Sequence, residues 1–390
     1  MTPVATPRMH AFDLLRGCCA IAVACYHLLT WQHVVTLDAI GLYAVYVFFV
    51  LSGASITLAY ADKLRTLADF RSFMAIRYLR LAPLYMAVLA LAMAYRVVAR
   101  DNDALLHKAL QLLPNITMLF GVGNPGASSL VIGGWSLGIE FLFYLLFPAF
   151  LVCASLARGK PWLAAAMLAL TLLIQQGFVN SVLQSGMVRF SDHVFAYTQF
   201  AAFIAYFSGG CAIGMFLRSR PGRRWSAWAW IPAIALLVLL FADHTSPQAS
   251  MLTGLEGGGR AMLTVLVVLA WSRLPVGDIM QKFSGSLGDA SYGIYLLHPV
   301  LFHGFAALGG NGGFLPALSQ GANAAVLCVM IVVCSFVLSI AFHRLVEMRV
   351  LRWGKERFVF DHAARGHTGV PAAATGRTPE FKTDRHERTP

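Results

Sequence analysis

Three ionisable residues lie on one side of the first apolar segment of the chain, residues 12–29. Arg16 and His27 are eleven residues apart, so on an α-helix they lie within about 20° of each other and roughly 16 Å apart along the axis. Asp13 precedes Arg16 by three residues and shares that face. A charged side chain at the centre of a membrane helix costs roughly 2.5–3.5 kcal/mol on insertion scales, so such residues usually face a cavity. The pattern indicates a polar, functional row on an apolar helix.

His27 is the leading candidate for a catalytic residue. Imidazole titrates near neutral pH, which suits a general base that removes a proton from an acceptor group. The alternative is an interfacial histidine that anchors the helix end beside Trp31. Arg16 is also a catalytic candidate, because it can contact a bound donor or an oxyanion. Its alternative is a structural ion pair with Asp13, although desolvation offsets the attraction within a buried pair.

The composition predicts an integral membrane protein. The chain has 390 residues, of which 58% are hydrophobic and only 12% are charged, and its mean hydropathy is +0.66. Soluble domains carry about 25% charged residues. We therefore expect an all-α, polytopic helical bundle. The net charge is +12, and most of the basic residues lie on the predicted cytoplasmic side, as the positive-inside rule expects. The charge therefore does not indicate a nucleic-acid partner.

The apolar segments predict about ten membrane-spanning helices. They lie at about 12–29, 42–60, 81–98, 135–156, 162–176, 195–217, 228–241, 259–272, 289–308 and 323–342. Leu105–Phe120 is an uncertain stretch, because as an eleventh span it would place the basic residues at 158–160 and 218–224 opposite those at 63–80. The positive-inside rule favours an interfacial or re-entrant segment there, with both termini in the cytoplasm.

The sequence divides into a membrane domain, residues 1–354, and a tail, residues 355–390. The tail is polar and rich in Gly, Pro and Thr, which is typical of a disordered cytoplasmic segment. All seven cysteines lie in apolar segments without a CxxC or Cys/His cluster, so we expect neither a metal site nor a disulfide framework.

Arg77 and Arg80 are candidates for binding an anionic donor. They lie three residues apart before the third predicted span, where Pro83 suits the first turn of the helix. Two guanidinium groups can hold phosphates in a bidentate manner. The alternative is ordinary anchoring of the helix on the cytoplasmic side, which requires charge but no particular spacing.

Glu140 is the third catalytic candidate, because an intramembrane carboxylate can orient His27 or stabilise its imidazolium. The alternative is an acid that complements the dipole of its helix. His298 precedes Pro299, so it either lines a cavity at a kink or satisfies a freed carbonyl. Ser52, beside Gly53, is favoured as a helix-packing residue over a nucleophile. The candidate cavity-lining residues are Asp13, Ser52, Tyr292 and His298.

Six stretches of the chain resemble motifs of membrane acyltransferase family 3, over about residues 10–350. They are Phe12-Asp-Leu-Leu-Arg-Gly17 with Tyr26-His27, Tyr46-Val-Phe-Phe-Val-Leu-Ser-Gly53, Arg77-Tyr-Leu-Arg-Leu-Ala-Pro83, Trp135-Ser-Leu-Gly-Ile-Glu-Phe-Leu-Phe-Tyr144, Ser291-Tyr-Gly-Ile-Tyr-Leu-Leu-His-Pro299 and His343-Arg-Leu-Val-Glu347. The resemblance implies transfer of an acyl group, most often acetyl, to a hydroxyl of an extracytoplasmic or lipid-linked saccharide. It further implies an acyl-CoA co-substrate, no bound cofactor and a place in the bacterial cytoplasmic (inner) membrane.

The partners expected from this resemblance are acyl-CoA, a glycan acceptor and membrane lipid, together with polysaccharide-synthesis proteins or a second copy of the chain. Two other classes of protein remain open. A transporter or flippase of glycan intermediates would use the intramembrane Arg, His and Glu as substrate or proton-coupling sites. A membrane sensor or scaffold would use its ion pairs only to hold the helices in register.

Overall fold

The computed structural model describes residues 8–98, 102–183, 196–220, 226–242, 248–307 and 320–358, with only the backbone given at 96–98, 102–108, 307 and 320. Within these ranges the chain is helical and has no strand, which confirms the prediction of an all-α membrane bundle. Its helices are α1 His10–Trp31, α2 Asp38–Tyr60, α3 Leu67–Val98, α4 Asn102–Ile116, α5 Pro125–Ser128, α6 Trp135–Leu156, α7 Pro161–Leu183, α8 Ile204–Ser219, α9 Trp230–Phe241, α10 Gln248–Leu252, α11 Gly254–Trp271, α12 Asp278–Ala307, α13 Gln320–Phe342 and α14 Met348–Arg357.

Eight helices among the described residues are long and apolar enough to cross a membrane. The other two predicted spans are helical as well, but they do not meet both conditions. Helix α9 has only 12 residues. Helix α12 has 30 residues, but its first half is polar and its second half contains His298 and His303. The multi-pass architecture is therefore established, while the cytoplasmic position of the termini stays a prediction.

The segment predicted to be interfacial or re-entrant contains a short amphipathic helix. Helix α4 has 15 residues and spans about 22 Å, less than the ~30 Å of a hydrocarbon core. The chain then turns at Met118, which has a left-handed backbone conformation with φ of 58°. Buried Asn115 fastens the turn, because its amide group donates to the carbonyls of Gln111 and Ser128, both at 2.8 Å.

Helix α3 differs from its predicted form. It begins at Leu67 rather than near residue 81, so Pro83 lies inside it and not in its first turn. The helix begins so early because Asp69 accepts hydrogen bonds from the backbone N–H groups of Arg65 and Thr66, at 3.2 and 2.9 Å. Arg77 and Arg80 therefore project from the middle of a continuous helix, which fixes their spacing and direction.

The C-terminal end of the described chain is also more ordered than predicted. Helix α13 passes through a π-helical turn, His343–Glu347, into α14, which ends at Arg357. The predicted boundary at residue 354 falls inside α14, because Gly354 packs against α3. A Cβ atom at Gly354 would lie 2.5 Å from Leu79 Cδ1. The rest of the predicted tail, 359–390, lies outside the described residues.

Helices α2 and α8 approach each other closely enough for backbone contact. A Cβ atom at Gly53 would lie 2.3 Å from the carbonyl oxygen of Phe207, and one at Gly210 would lie 2.1 Å from that of Val50. Small residues permit this approach, which is a common way for membrane helices to associate without a hydrophobic driving force between them. The pair forms a fixed wall from which Ser52, next to Gly53, faces inward.

We predict that Gly210→Ala destabilises the protein, whereas Gly177→Ala does not. The first change forces two backbones apart and should cost about 1–3 kcal/mol, as overpacking does. Gly177 lies on the exposed face of α7, and no neighbouring atom lies within 4 Å of the place that a methyl group would occupy. Its change should therefore be neutral or improve helix propensity. The measurement is the thermal unfolding midpoint in detergent. Equal midpoints for both variants would contradict the close contact of α2 and α8.

Candidate active site

A cavity of about 360 Å³ lies between α1, α2, α3, α6, α12 and α14. Six of the sequence-predicted site residues line it, namely Arg16, Ser52, Arg77, Arg80, Glu140 and Tyr292. His27, Asp13 and His298 do not line it. The structure therefore brings the predicted basic residues and the carboxylate together and places the two histidines outside the cavity wall.

The ionisable lining of the cavity is mostly cationic. The lining contains one carboxylate, Glu140, and four cationic side chains, those of Arg16, Arg77, Arg80 and Lys355. An enclosed surface of one predominant sign, bounded by apolar walls, focuses the field and attracts ligands of opposite charge. The cavity is accordingly suited to an anionic ligand.

Arg77 is held between aromatic rings and keeps a free donor. Its guanidinium carbon lies 5.2 Å from the centre of the Tyr60 ring and 5.1 Å from that of Tyr144, within the range of cation–π attraction. Its Nε atom is buried without a hydrogen-bond partner. A buried unsatisfied donor costs free energy unless a ligand accepts from it. The two rings thus fix the direction of the Arg77 guanidinium at the cavity lining.

Arg16 lines the cavity and is also paired with Asp13. Its Nη2 donates to Ser55 Oγ at 3.1 Å, and its Nη1 lies 3.6 Å from Asp13 Oδ1. Asp13 is shared, because its other oxygen accepts from Arg8 Nε at 2.5 Å. Arg8 also pairs with Asp289 Oδ1 of α12 at 2.7 Å. Asp13 therefore supports Arg16 from behind instead of lining the cavity.

Glu140 does not contact His27, which corrects the expected pairing of the two residues. One oxygen of Glu140 accepts hydrogen bonds from Ser52 Oγ at 2.6 Å and from the Tyr144 hydroxyl at 2.5 Å. These bonds hold the carboxylate on the face of α6 that looks towards α2. Ser52 serves as a hydrogen-bond donor to Glu140, beside the helix contact formed by Gly53.

His27 pairs with His298 instead. His27 Nδ1 and His298 Nε2 are 3.0 Å apart. The His27 ring also stacks on Trp31, with ring centres 5.0 Å apart and planes 8° from parallel. His298 is 1% exposed. Its other nitrogen lies 3.0 Å from the carbonyl oxygen of Ile294.

Tyr295 lies next to both the cavity and the histidine pair. Tyr295 lines the cavity, and its ring centre is 6.2 Å from that of His298. The Tyr295 hydroxyl is fixed by Ser136 Oγ at 2.9 Å and by the carbonyl oxygen of Gly133 at 2.8 Å.

Several residues of the site were not identified from the sequence. Lys355 was assigned to the tail by composition, and Arg8 precedes the apolar segment in which Arg16 was found. Ser55 and Tyr295 are polar residues one helical turn from predicted ones, so the helical period could have found them. Within the described ranges, no group of three His, Cys, Asp or Glu residues is arranged to hold a metal ion.

The described helices thus form a membrane domain with a mostly cationic cavity and a histidine pair beside it. The chain belongs to acyltransferase family 3, whose family model, described as an acyltransferase domain, matches residues 9–342. It is therefore a multi-pass membrane acyltransferase.

Two relatives are similar over most of the chain. One is the exopolysaccharide production protein ExoZ of Rhizobium meliloti (strain 1021), 29% identical over 337 residues that cover 82% of this chain and 92% of that protein. The other is the peptidoglycan O-acetyltransferase OatA of Listeria monocytogenes, 28% identical over 318 residues that cover 74% of this chain but only 48% of that protein. No solved structure matches the chain significantly.

We predict that Lys355→Met weakens the binding of inorganic pyrophosphate, a small polyanion, about three- to tenfold, because a cation is removed from the cavity lining. Arg352→Met removes the same charge from the same helix outside that lining, so it serves as the control. The measurement is equilibrium binding to the purified protein in detergent at two salt concentrations. Equal weakening in both variants would indicate a general surface-charge effect.

Proposed function

We propose that this protein is an O-acyltransferase of the bacterial cytoplasmic membrane. It moves an acyl group, most simply acetyl, from a cytoplasmic acyl-CoA to a hydroxyl of an extracytoplasmic or lipid-linked saccharide. The observation that carries the proposal is the cationic lining of the cavity, in which Arg77 is stacked between two aromatic rings. The relatives support the acceptor class, since one is named for exopolysaccharide production and the other for peptidoglycan O-acetylation.

The phosphates of the donor would be held by Arg77 and Arg80, with Lys355 beside them. Arg80 makes no hydrogen bond or ion pair with any residue in the described ranges, so its donors are free. Arginine forks suit the bidentate recognition of phosphate. The charged part of the donor then stays at one side of the membrane, which avoids the cost of moving several charges through the hydrocarbon core.

The thioester would extend along the cavity towards Arg16, whose guanidinium is tied to Ser55 and Asp13. There it can stabilise negative charge that develops on the carbonyl oxygen. Glu140, fixed by Ser52 and Tyr144, offsets part of the positive charge and holds the ring on which Arg77 stacks.

His27 is the proposed base. It accepts the proton of the acceptor hydroxyl, and the oxygen attacks the thioester carbonyl. The C–S bond then breaks, and the coenzyme thiolate leaves and takes up the proton from the imidazolium. A relay through an acyl-His27 intermediate uses the same ring in two steps. Both routes require the thioester to reach His27, which does not line the cavity.

The deciding experiment is mass spectrometry and proton NMR of the surface glycans of the host, with the gene, without it and with His27→Gln. We expect one acyl substituent to disappear in the deletion and in the variant while the glycan backbone and its yield persist. Unchanged acylation with a lost or shortened polymer would instead establish transport of a glycan intermediate. Full acylation by the variant at normal membrane abundance would remove His27 from the mechanism.

We further predict that Arg77→Lys lowers kcat/KM for the acyl-CoA at least about tenfold, mainly through KM. A lysine keeps the charge but loses the planar fork that stacks between Tyr60 and Tyr144. Arg71→Lys, on the exposed side of the same helix, is the matched control. A scaffold in which only charge matters would tolerate both changes equally.

A further inference from the structure

The two histidines outside the cavity can share only one proton between them. His27 Nδ1 and His298 Nε2 face each other at 3.0 Å, so one nitrogen must donate and the other accept. Which of the two nitrogens of a histidine ring carries the proton has to be inferred from the group that each nitrogen contacts. His298 has such a contact, and the group that it meets there can act only as a hydrogen-bond acceptor.

The second nitrogen of His298 faces a group that can only accept. Its Nδ1 lies 3.0 Å from the carbonyl oxygen of Ile294, and the carbonyl of Tyr295 also lies within reach. Pro299 has no N–H, so the carbonyl of Tyr295 lacks its usual donor in the helix. His298 Nδ1 must therefore carry a proton. Without one, its lone pair would face the lone pairs of a carbonyl oxygen in a buried site, which is unfavourable.

A neutral His298 with its proton on Nδ1 has a bare Nε2. That nitrogen accepts from His27 Nδ1, which leaves Nε2 of His27 without a proton. A doubly protonated His298 would instead donate from Nε2 to His27 Nδ1. It would then be a buried cation, because His298 is only 1% exposed. Within the described ranges no acidic side chain hydrogen-bonds to either histidine, so nothing compensates such a charge.

We infer that His298 is a positioning residue that holds His27 in the tautomer whose Nε2 is a free base. The inference rests on the proposed function, because it assigns the working nitrogen of the proposed base. When His27 takes the acceptor proton on Nε2, its Nδ1–H remains bonded to His298 Nε2, and this charge-assisted bond stabilises the imidazolium. The proton then passes to the leaving thiolate, and His298 is unchanged throughout.

Two substitutions of similar size separate this role from packing. His298→Gln retains an acceptor near the position of Nε2, whereas His298→Met fills the space without a strong acceptor. We expect His298→Gln to keep kcat within about tenfold of the wild type, and His298→Met to lower kcat about 10²–10³-fold, the range of general-base catalysis. The dissociation constant for coenzyme A should be unchanged in both, because His298 does not line the cavity.

A merely structural role predicts the opposite order, since a buried glutamine costs more than a buried methionine. Equal loss of kcat in the two variants, or a more active His298→Met, would overturn the inference. His27→Gln is measured in parallel. If His27→Gln stays active, His27 is not the base. If His27→Gln is inactive while both His298 variants keep the kcat of the wild type, only the positioning role of His298 is refuted.

A second measurement requires no folded variant at position 298. Nitrogen-15 NMR of the full-length protein labelled at histidine distinguishes the Nδ1–H tautomer from the Nε2–H tautomer, and His27→Gln identifies the signals of His27. We expect the Nδ1–H tautomer for His27. The Nε2–H tautomer would overturn the inference whatever the kinetics show.

Discussion

The charge of Arg16 has to be accommodated inside an apolar helix bundle, and the surrounding helices are arranged to do so. Asp13 lies one turn away on the same helix and is also bound by Arg8, which reaches Asp289 of α12. Ser55 of α2 accepts from the opposite side of the guanidinium. This chain of contacts joins α1 to both neighbours, so the same interactions that make the charge tolerable also set the wall of the cavity.

The division of the site into a cavity and a separate histidine pair has a chemical advantage. An imidazole placed among four cationic side chains would be disfavoured as an imidazolium, because like charges repel in a medium of low dielectric constant. His27 instead lies among aromatic rings and His298, which is next to Tyr295. In the proposed mechanism, the anion therefore binds in one environment and the proton is taken up in another.

Part of this arrangement could be predicted from the sequence. Charges inside apolar segments singled out Arg16 and Glu140, both of which line the cavity, and apolar length predicts most of the spans. The partners could not be predicted. Periodicity fixes the face of one helix but does not tell which neighbouring helix that face meets. For this reason the sequence analysis paired Glu140 with His27, whereas Glu140 binds Ser52. The partner of His27 is His298, which lies 271 positions away along the chain. Lys355 was missed because tail-like composition begins before the last helix has ended.

Helix α14 makes the described C-terminal end of the chain a part of the cavity. Lys355 and Leu351 line it, while Arg8 at the other described end braces Asp13. A reporter or affinity label inserted next to Arg8 or Lys355 would therefore disturb the cavity wall. The turn between α6 and α7 is a safer attachment point, because Gly159 there has φ of 73° and no atom near a potential side chain. Engineering of this protein should begin at that turn.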